Sequence, residues 1–158
     1  MEIKKVLNGL ECSPALLREL VASVPAELLK EHRIAGKWCI HEHAVHLWKV
    51  QVMINGRLRR FMTEETPEFV PYFPGTSTPP DELLKLDLKE SLKKFAAERK
   101  KFVGMLRQLA KKEWHKKAKH PEYDNYTPYI MARHLLLHDN VHMYRIEELW
   151  LTKELKKK

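Results

Sequence analysis

Along most of the chain apolar residues recur every three or four positions, the spacing of helices that each turn one face to a core. Leu16, Leu17, Leu20, Val21 and Val24 form one such face, and Ala44, Leu47, Trp48, Gln51, Leu58, Phe61 and Met62 a second. Leu88, Leu92, Phe95, Arg99, Phe102, Leu106 and Leu109 form a third, and Met131, Leu135, His138, His142, Ile146 and Leu149 a fourth. No run alternates with a period of two for long enough to propose a sheet. The pattern predicts an all-α protein with four helical arms.

Breakers and caps set the expected bounds. Glu2 to Leu10 reads as a short helix, restarted at Ser13-Pro14, where Ser can cap and Pro is tolerated in the first turn. Pro25 permits a break, Glu27 to Glu31 adds a turn, and Ile34 to Lys37 connects to a second helix running from about Ile40 to Phe61. Thr63 to Pro80 holds five of the nine prolines, so it is a loop. Its Phe69, Tyr72 and Phe73 predict packing over one end of the bundle, as a substrate lid would. The third helix is expected from Asp81 or Asp87 to Trp114, followed by a polar connection from His115 to Tyr126. Thr127-Pro128 is again a cap with a first-turn proline, opening a helix that continues to about Lys153.

At 158 residues the chain has the size of one ordinary domain, expected over 1–158. No apolar segment approaches the roughly 20 residues of a membrane span, and the N-terminus lacks a signal-peptide core. The expectation is a soluble cytoplasmic protein without membrane contact, whose two cysteines, Cys12 and Cys39, are free thiols. The formal charge of +8 is concentrated between Lys89 and Lys119, with twelve Lys or Arg against three acids. A solvated helix face is its ordinary meaning, and phosphate contact with nucleic acid the lesser alternative.

The fourth face carries the chemistry. His138 and His142, four apart, point the same way from an otherwise apolar stripe. Burying an unpartnered polar ring costs about 1–3 kcal/mol, and a shared metal ion would remove the cost. His46, with Val50 and Met53, begins a second stripe on its own helix and is expected to face inward. His46, His138 and His142 are therefore the candidate metal ligands; zinc and nickel accept imidazole, and three ligands leave one position open. His43 and His134 lie near them as outer partners or local hydrogen-bonders. Glu42 reads first as a helix cap, Asp139 is ambiguous, and Arg99 either reaches solvent or a carboxylate, or contacts an anion near the site.

The run Gly36-Lys37-Trp38-Cys39-Ile40-His41-Glu42-His43-Ala44-Val45-His46-Leu47, with His134-x3-His138-x3-His142-x3-Ile146 near the C-terminus, resembles the opening and closing helices of DinB/YfiT-like proteins. Cys39 departs from the capping Ser of that pattern, and Met143-Tyr144-Arg145 from its Arg-Gly-Gln. The resemblance implies an up-and-down four-helix bundle, often a homodimer, with a divalent metal on His46, His138 and His142. It also implies thiol S-transferase, isomerase or metal-dependent hydrolase chemistry, which fold alone does not choose among.

The function expected is a divalent-metal-dependent enzyme that activates a low-molecular-weight thiol or water for S-transfer to an electrophilic substrate or for hydrolysis. The competing class is a non-catalytic, basic metal-binding bundle that engages nucleic acid or a protein partner.

Overall fold

In the computed structural model, which describes residues 1–71 and 81–153, four long helices pack as a bundle. They are α1, Ile3–Ser23; α2, Ile40–Thr63; α4, Leu88–Gln108; and α5, Pro128–Leu151, with a one-turn α3, Glu82–Lys85, before α4. The expected all-α four-helix architecture is present. Among the described residues there is no strand, only isolated bridges from Glu68 to Lys119 and from Ala118 to Tyr126. No described helix is long and apolar enough to cross a membrane.

Helix starts follow local chemistry. Thr127 Oγ1 accepts from Ile130 N at 3.2 Å ahead of Pro128, and Asp87 Oδ1 accepts from Glu90 N at 2.7 Å. Cys39 and Glu42 form a capping box, in which Cys39 N donates to Glu42 Oε2 at 2.9 Å. Two expected bounds differ. The third helix stops at Gln108, and Trp114 falls in a separate short turn, Glu113–His115. More consequentially, Ser13-Pro14 does not restart a helix; α1 runs through it unbroken. Proline there leaves the Leu10 carbonyl without its helical N–H, and Arg99 Nη1 donates to that oxygen at 3.1 Å instead.

The direction of each helix follows from which residues share a core. The start of α1 (Val6, Leu10) packs with the ends of α2 (Leu58, Phe61) and α4 (Phe102, Leu106) and the start of α5 (Met131, Leu135). The end of α1 (Leu17, Val21) packs with the starts of α2 (Ile40, Ala44) and α4 and the end of α5 (Ile146, Leu149). The order is therefore up, down, down, up. Both α1 and α2 pack against α4 and α5, while α1 and α2 lie across a diagonal and hardly touch. Contact between α1 and α5 is close: a Cβ on Gly9 would stand 2.9 Å from the Leu136 methyls.

Between the two apolar cores lies a buried polar layer. Arg99 and Asp139, each with a side chain 1 % exposed, pair at 2.7 Å. Arg99 Nε donates to Gln51 Oε1, Gln51 Nε2 to Asn55 Oδ1 at 2.8 Å, and Asn55 Nδ2 to Glu98 Oε2 at 2.7 Å. Arg99 thus reaches a carboxylate, as one of its two readings had it, and does so in the core rather than at the surface.

Loops close one end. Phe69 packs on Phe61 and Tyr126 with ring centroids 5.2 and 5.8 Å apart, held by Phe69 N donating to Lys119 O at 2.9 Å. Tyr72 and Phe73, and with them half of the expected lid, lie outside the described residues.

Candidate metal centre

Two helices of opposite direction, α2 and α5, bring His46, His138 and His142 together beside the polar layer. His46 comes from a buried position one turn before Val50, where the helix faces α5. On α5 the expected stripe holds at Met131, Leu135, Ile146 and Leu149, but between them Asp139 takes the fully buried position, while His138 and His142 sit half-buried at the edge facing α2. Adjacent residues on a helix point about 100° apart, so carboxylate and imidazole look in different directions.

The three rings converge through the same atoms. His46 Nε2 stands 3.2 Å from His138 Nε2, and His142 Nε2 stands 3.1 Å from it. His138 Nε2 offers either one proton or one lone pair, so it can satisfy only one of these contacts by hydrogen bonding. A cation among the three would satisfy all of them. Two imidazole nitrogens on one tetrahedral ion, each about 2.0–2.1 Å from it, stand about 3.3–3.4 Å apart, close to the observed separations. The set fits a borderline divalent ion such as zinc or nickel, with a position left open.

Electrostatics keep these rings neutral. Burial pushes His46 down to about 3 and His142 to about 2, and the neighbouring imidazoles push both further. Burial likewise lowers His138, against the opposing pull of the Asp139 carboxylate. Neutral imidazole is the ligating form.

His43 takes the outer place that its position allowed. Its Nδ1 lies 2.8 Å from His142 Nδ1. When His142 presents a lone pair at Nε2, its Nδ1 carries the proton and donates it to His43, which fixes the ring's tautomer and angle. Burial holds His43 itself at about 4, so it is an acceptor near neutrality. Trp38 covers this corner, its ring centroid 4.7 Å from that of His46 and 6.0 Å from that of His142. Glu42 serves the α2 cap, as its first reading had it.

A cavity of about 350 Å³ opens beside the trio, lined by His46 and His138 and by Arg57, His120, Tyr123 and His134. His134 is 5.3 Å from Tyr123, ring to ring, and belongs to this wall rather than to the trio. Arg57 donates to Tyr126 Oη at 3.3 Å and to the Val70 carbonyl at 2.6 Å. Sequence reasoning treated His115 to Tyr126 as a plain connection and missed its contribution. Three aromatic rings within seven residues, His120, Tyr123 and Tyr126, were the available signal.

The family model of the DinB superfamily matches residues 10–146. Among solved structures the chain is similar to YfiT from Bacillus subtilis, a probable metal-dependent hydrolase with an unusual four-helix bundle topology. That likeness has a TM-score of 0.84 at 22% identity, and covers 94% of this chain and 87% of the other. No curated protein matches. With the family model running from Leu10 of α1 to Ile146 of α5, through every helix that builds the site, the chain belongs to the DinB superfamily.

Proposed function

We propose that this protein is a divalent-metal-dependent enzyme in which His46, His138 and His142 hold the ion, with zinc or nickel the fitting metals. A small-molecule thiol or water is activated there for S-transfer or hydrolysis. The observation that carries the reading is the approach of His46 Nε2 and His142 Nε2 to within 3.1–3.2 Å of His138 Nε2, beside an open cavity that His46 and His138 line. When bound, such an ion supplies Lewis acidity, which makes a thiolate or hydroxide accessible near neutral pH.

The chain's own groups do the rest. His43 orients His142, Trp38 shields the rings from water on one side, and the cavity receives the substrate on the other. Arg57, the cation in the cavity wall, favours an electrophilic substrate that carries negative charge, and Tyr123 and His134 supply flat surfaces for it.

The proposed assembly is a homodimer in the cytoplasm. Leu137, Val141, Tyr144 and Leu151 are all exposed on α5, at the four, three and seven residue intervals of one continuous face turned away from the core. A second copy would cover it.

Elemental analysis of untagged protein, with thiol-transfer and ester or amide hydrolysis assays, tests the reading. The expected result is a bound divalent ion and an activity that both disappear in His142→Ala while the helical circular dichroism stays. Metal content and activity unchanged in both His142→Ala and His46→Ala would overturn it.

A further inference from the structure

A second group of metal-ligating side chains shares no residue with the trio. His32 comes from the loop before α2, Cys39 is the N-cap of α2, and Glu42 lies in its first turn. His32 nitrogen, Cys39 Sγ and a Glu42 carboxylate oxygen all lie within 4.8 Å of one another.

The orientation of His32 is informative. Its Nδ1 is 3.0 Å from the Lys37 carbonyl, which can only accept, so Nδ1 carries the proton. The turn that presents this carbonyl is closed by Lys37 N donating to Ile34 O at 3.1 Å, with Gly36 at φ +73°. Nε2 of His32 faces Glu42 Oε2, 3.6 Å away and beyond hydrogen-bond reach. An imidazole that donates one N–H to a backbone carbonyl and leaves the other nitrogen bare is in the form that ligates a metal. Glu42 is equally held, since its Oε2 accepts from Cys39 N at 2.9 Å. An imidazole nitrogen, a carboxylate oxygen and a sulfur thus face one another.

We propose that His32, Cys39 and Glu42 form a second divalent-cation site at the start of α2, independent of the histidine trio and selective for a thiophilic ion of the zinc class. Imidazole, thiolate and carboxylate are all zinc ligands, and the sulfur disfavours magnesium and calcium. Burial, with Glu42 adding to it, holds the Cys39 thiol up at about 11, so the protein alone does not ionise it. Binding therefore displaces the Cys39 proton to solvent as the sulfur–metal bond forms, one proton per ion. His32 is the most exposed of the three, its side chain 45% exposed. The fourth position faces water on that exposed side. Occupancy would tie the loop to α2 on both sides of Trp38, the ring that covers His43, His46 and His142, and so steady one wall of the first site.

The test is a cobalt(II) titration of the metal-free full chain, followed by absorption. A thiolate-to-cobalt charge-transfer band in the near ultraviolet should grow and saturate within two equivalents per chain, and at one equivalent in His46→Ala/His142→Ala. Cys39→Ser, which keeps a capping oxygen, should abolish it, and Cys12→Ser should leave it intact. His32→Ala, at a loop position, should weaken the band-forming affinity by at least the roughly tenfold that losing even an outer partner costs, with helix content unchanged. In His46→Ala/His142→Ala the band should persist, which separates this site from the trio. No band in the wild type, or a band that survives Cys39→Ser, overturns the proposal, whether or not cobalt still binds through His46 and His142.

Discussion

Replacing Asp139 by alanine should be among the most damaging single changes in this chain. The carboxylate accepts from Arg99 Nη1 at 2.7 Å, with both side chains 1 % exposed, so the variant strands a guanidinium in the core. Breaking a buried pair from one side costs about 3–5 kcal/mol. The lower half of that range applies, because Leu10 O and Gln51 Oε1 still accept from the guanidinium. Asp139→Asn keeps an acceptor and loses only the charge, for a cost of about 1.5–3 kcal/mol. Replacing both partners, Arg99→Met/Asp139→Leu, removes the desolvation cost with the pair, and such exchanges are often neutral or better. Here recovery should stop short, because Pro14 leaves the Leu10 carbonyl no helical donor and Arg99 is its partner. An unsatisfied buried carbonyl costs about 1–3 kcal/mol, and adding Pro14→Ala should return most of it by restoring the helical N–H. Urea unfolding followed by circular dichroism reads the series. At about 2 kcal/mol per molar urea, Asp139→Ala should lower the midpoint by about 1.5–2 M without changing the slope. A loss below about 1 kcal/mol, or a double variant less stable than Asp139→Ala, would refute the account of a desolvated pair closing a proline gap.

Other outcomes follow from the same geometry. Metal-free protein should lose stability as pH falls from about 6.5 towards about 4: there the unfolded chain protonates histidines that the fold holds neutral, His43 at about 4, His46 at about 3 and His142 at about 2. Equal urea midpoints at the two ends of that window would contradict it. His43→Ala should weaken metal binding by about 10–100-fold while leaving all three proposed ligands in place, measured by competition with a chelator; an unchanged constant removes its orienting role. Val141→Asp, on the exposed face of α5, should shift the protein to a monomer in sedimentation with its helix content kept. A wild type that is monomeric at every concentration tried counts against the dimer.

The helices were legible because each has an apolar stripe and a readable start. Thr127-Pro128 marks α5 to the residue, and Cys39 with Glu42 marks α2. The path of the chain between them was not. The segment from Thr63 to Pro80 reads as a connection, and its described part after α2, residues 64–71, holds no helix; α2 ends at one end of the bundle and α4 starts at the other, so the two run parallel. A 24-residue helix such as α2 is about 36 Å long, and 18 extended residues can span up to about 60 Å, so the connection suffices for a full return. Length permits the crossover without requiring it, and no local pattern distinguishes the two topologies. Pro14 fails for a related reason. Read locally it must end a helix, and what offsets its missing hydrogen is a guanidinium 85 positions further along the chain, at Arg99.

At the site, spacing alone brought His138 and His142 onto one side of a helix, and the stripe it implied holds at Met131, Leu135, Ile146 and Leu149 but not at the two histidines. That error is instructive. A core stripe read from apolar neighbours assigns the two histidines to the centre, where a ligand would be sealed from substrate. In the fold the centre belongs to Asp139, whose charge is matched by Arg99, and His138 and His142 lie at the edge, where the cavity reaches His138. The buried ion pair and the candidate metal centre are thus two consequences of one helix orientation. A carboxylate next to a proposed ligand in sequence therefore acts here by fixing how α5 is turned, and loss of that carboxylate should loosen the trio's geometry even where the bundle survives.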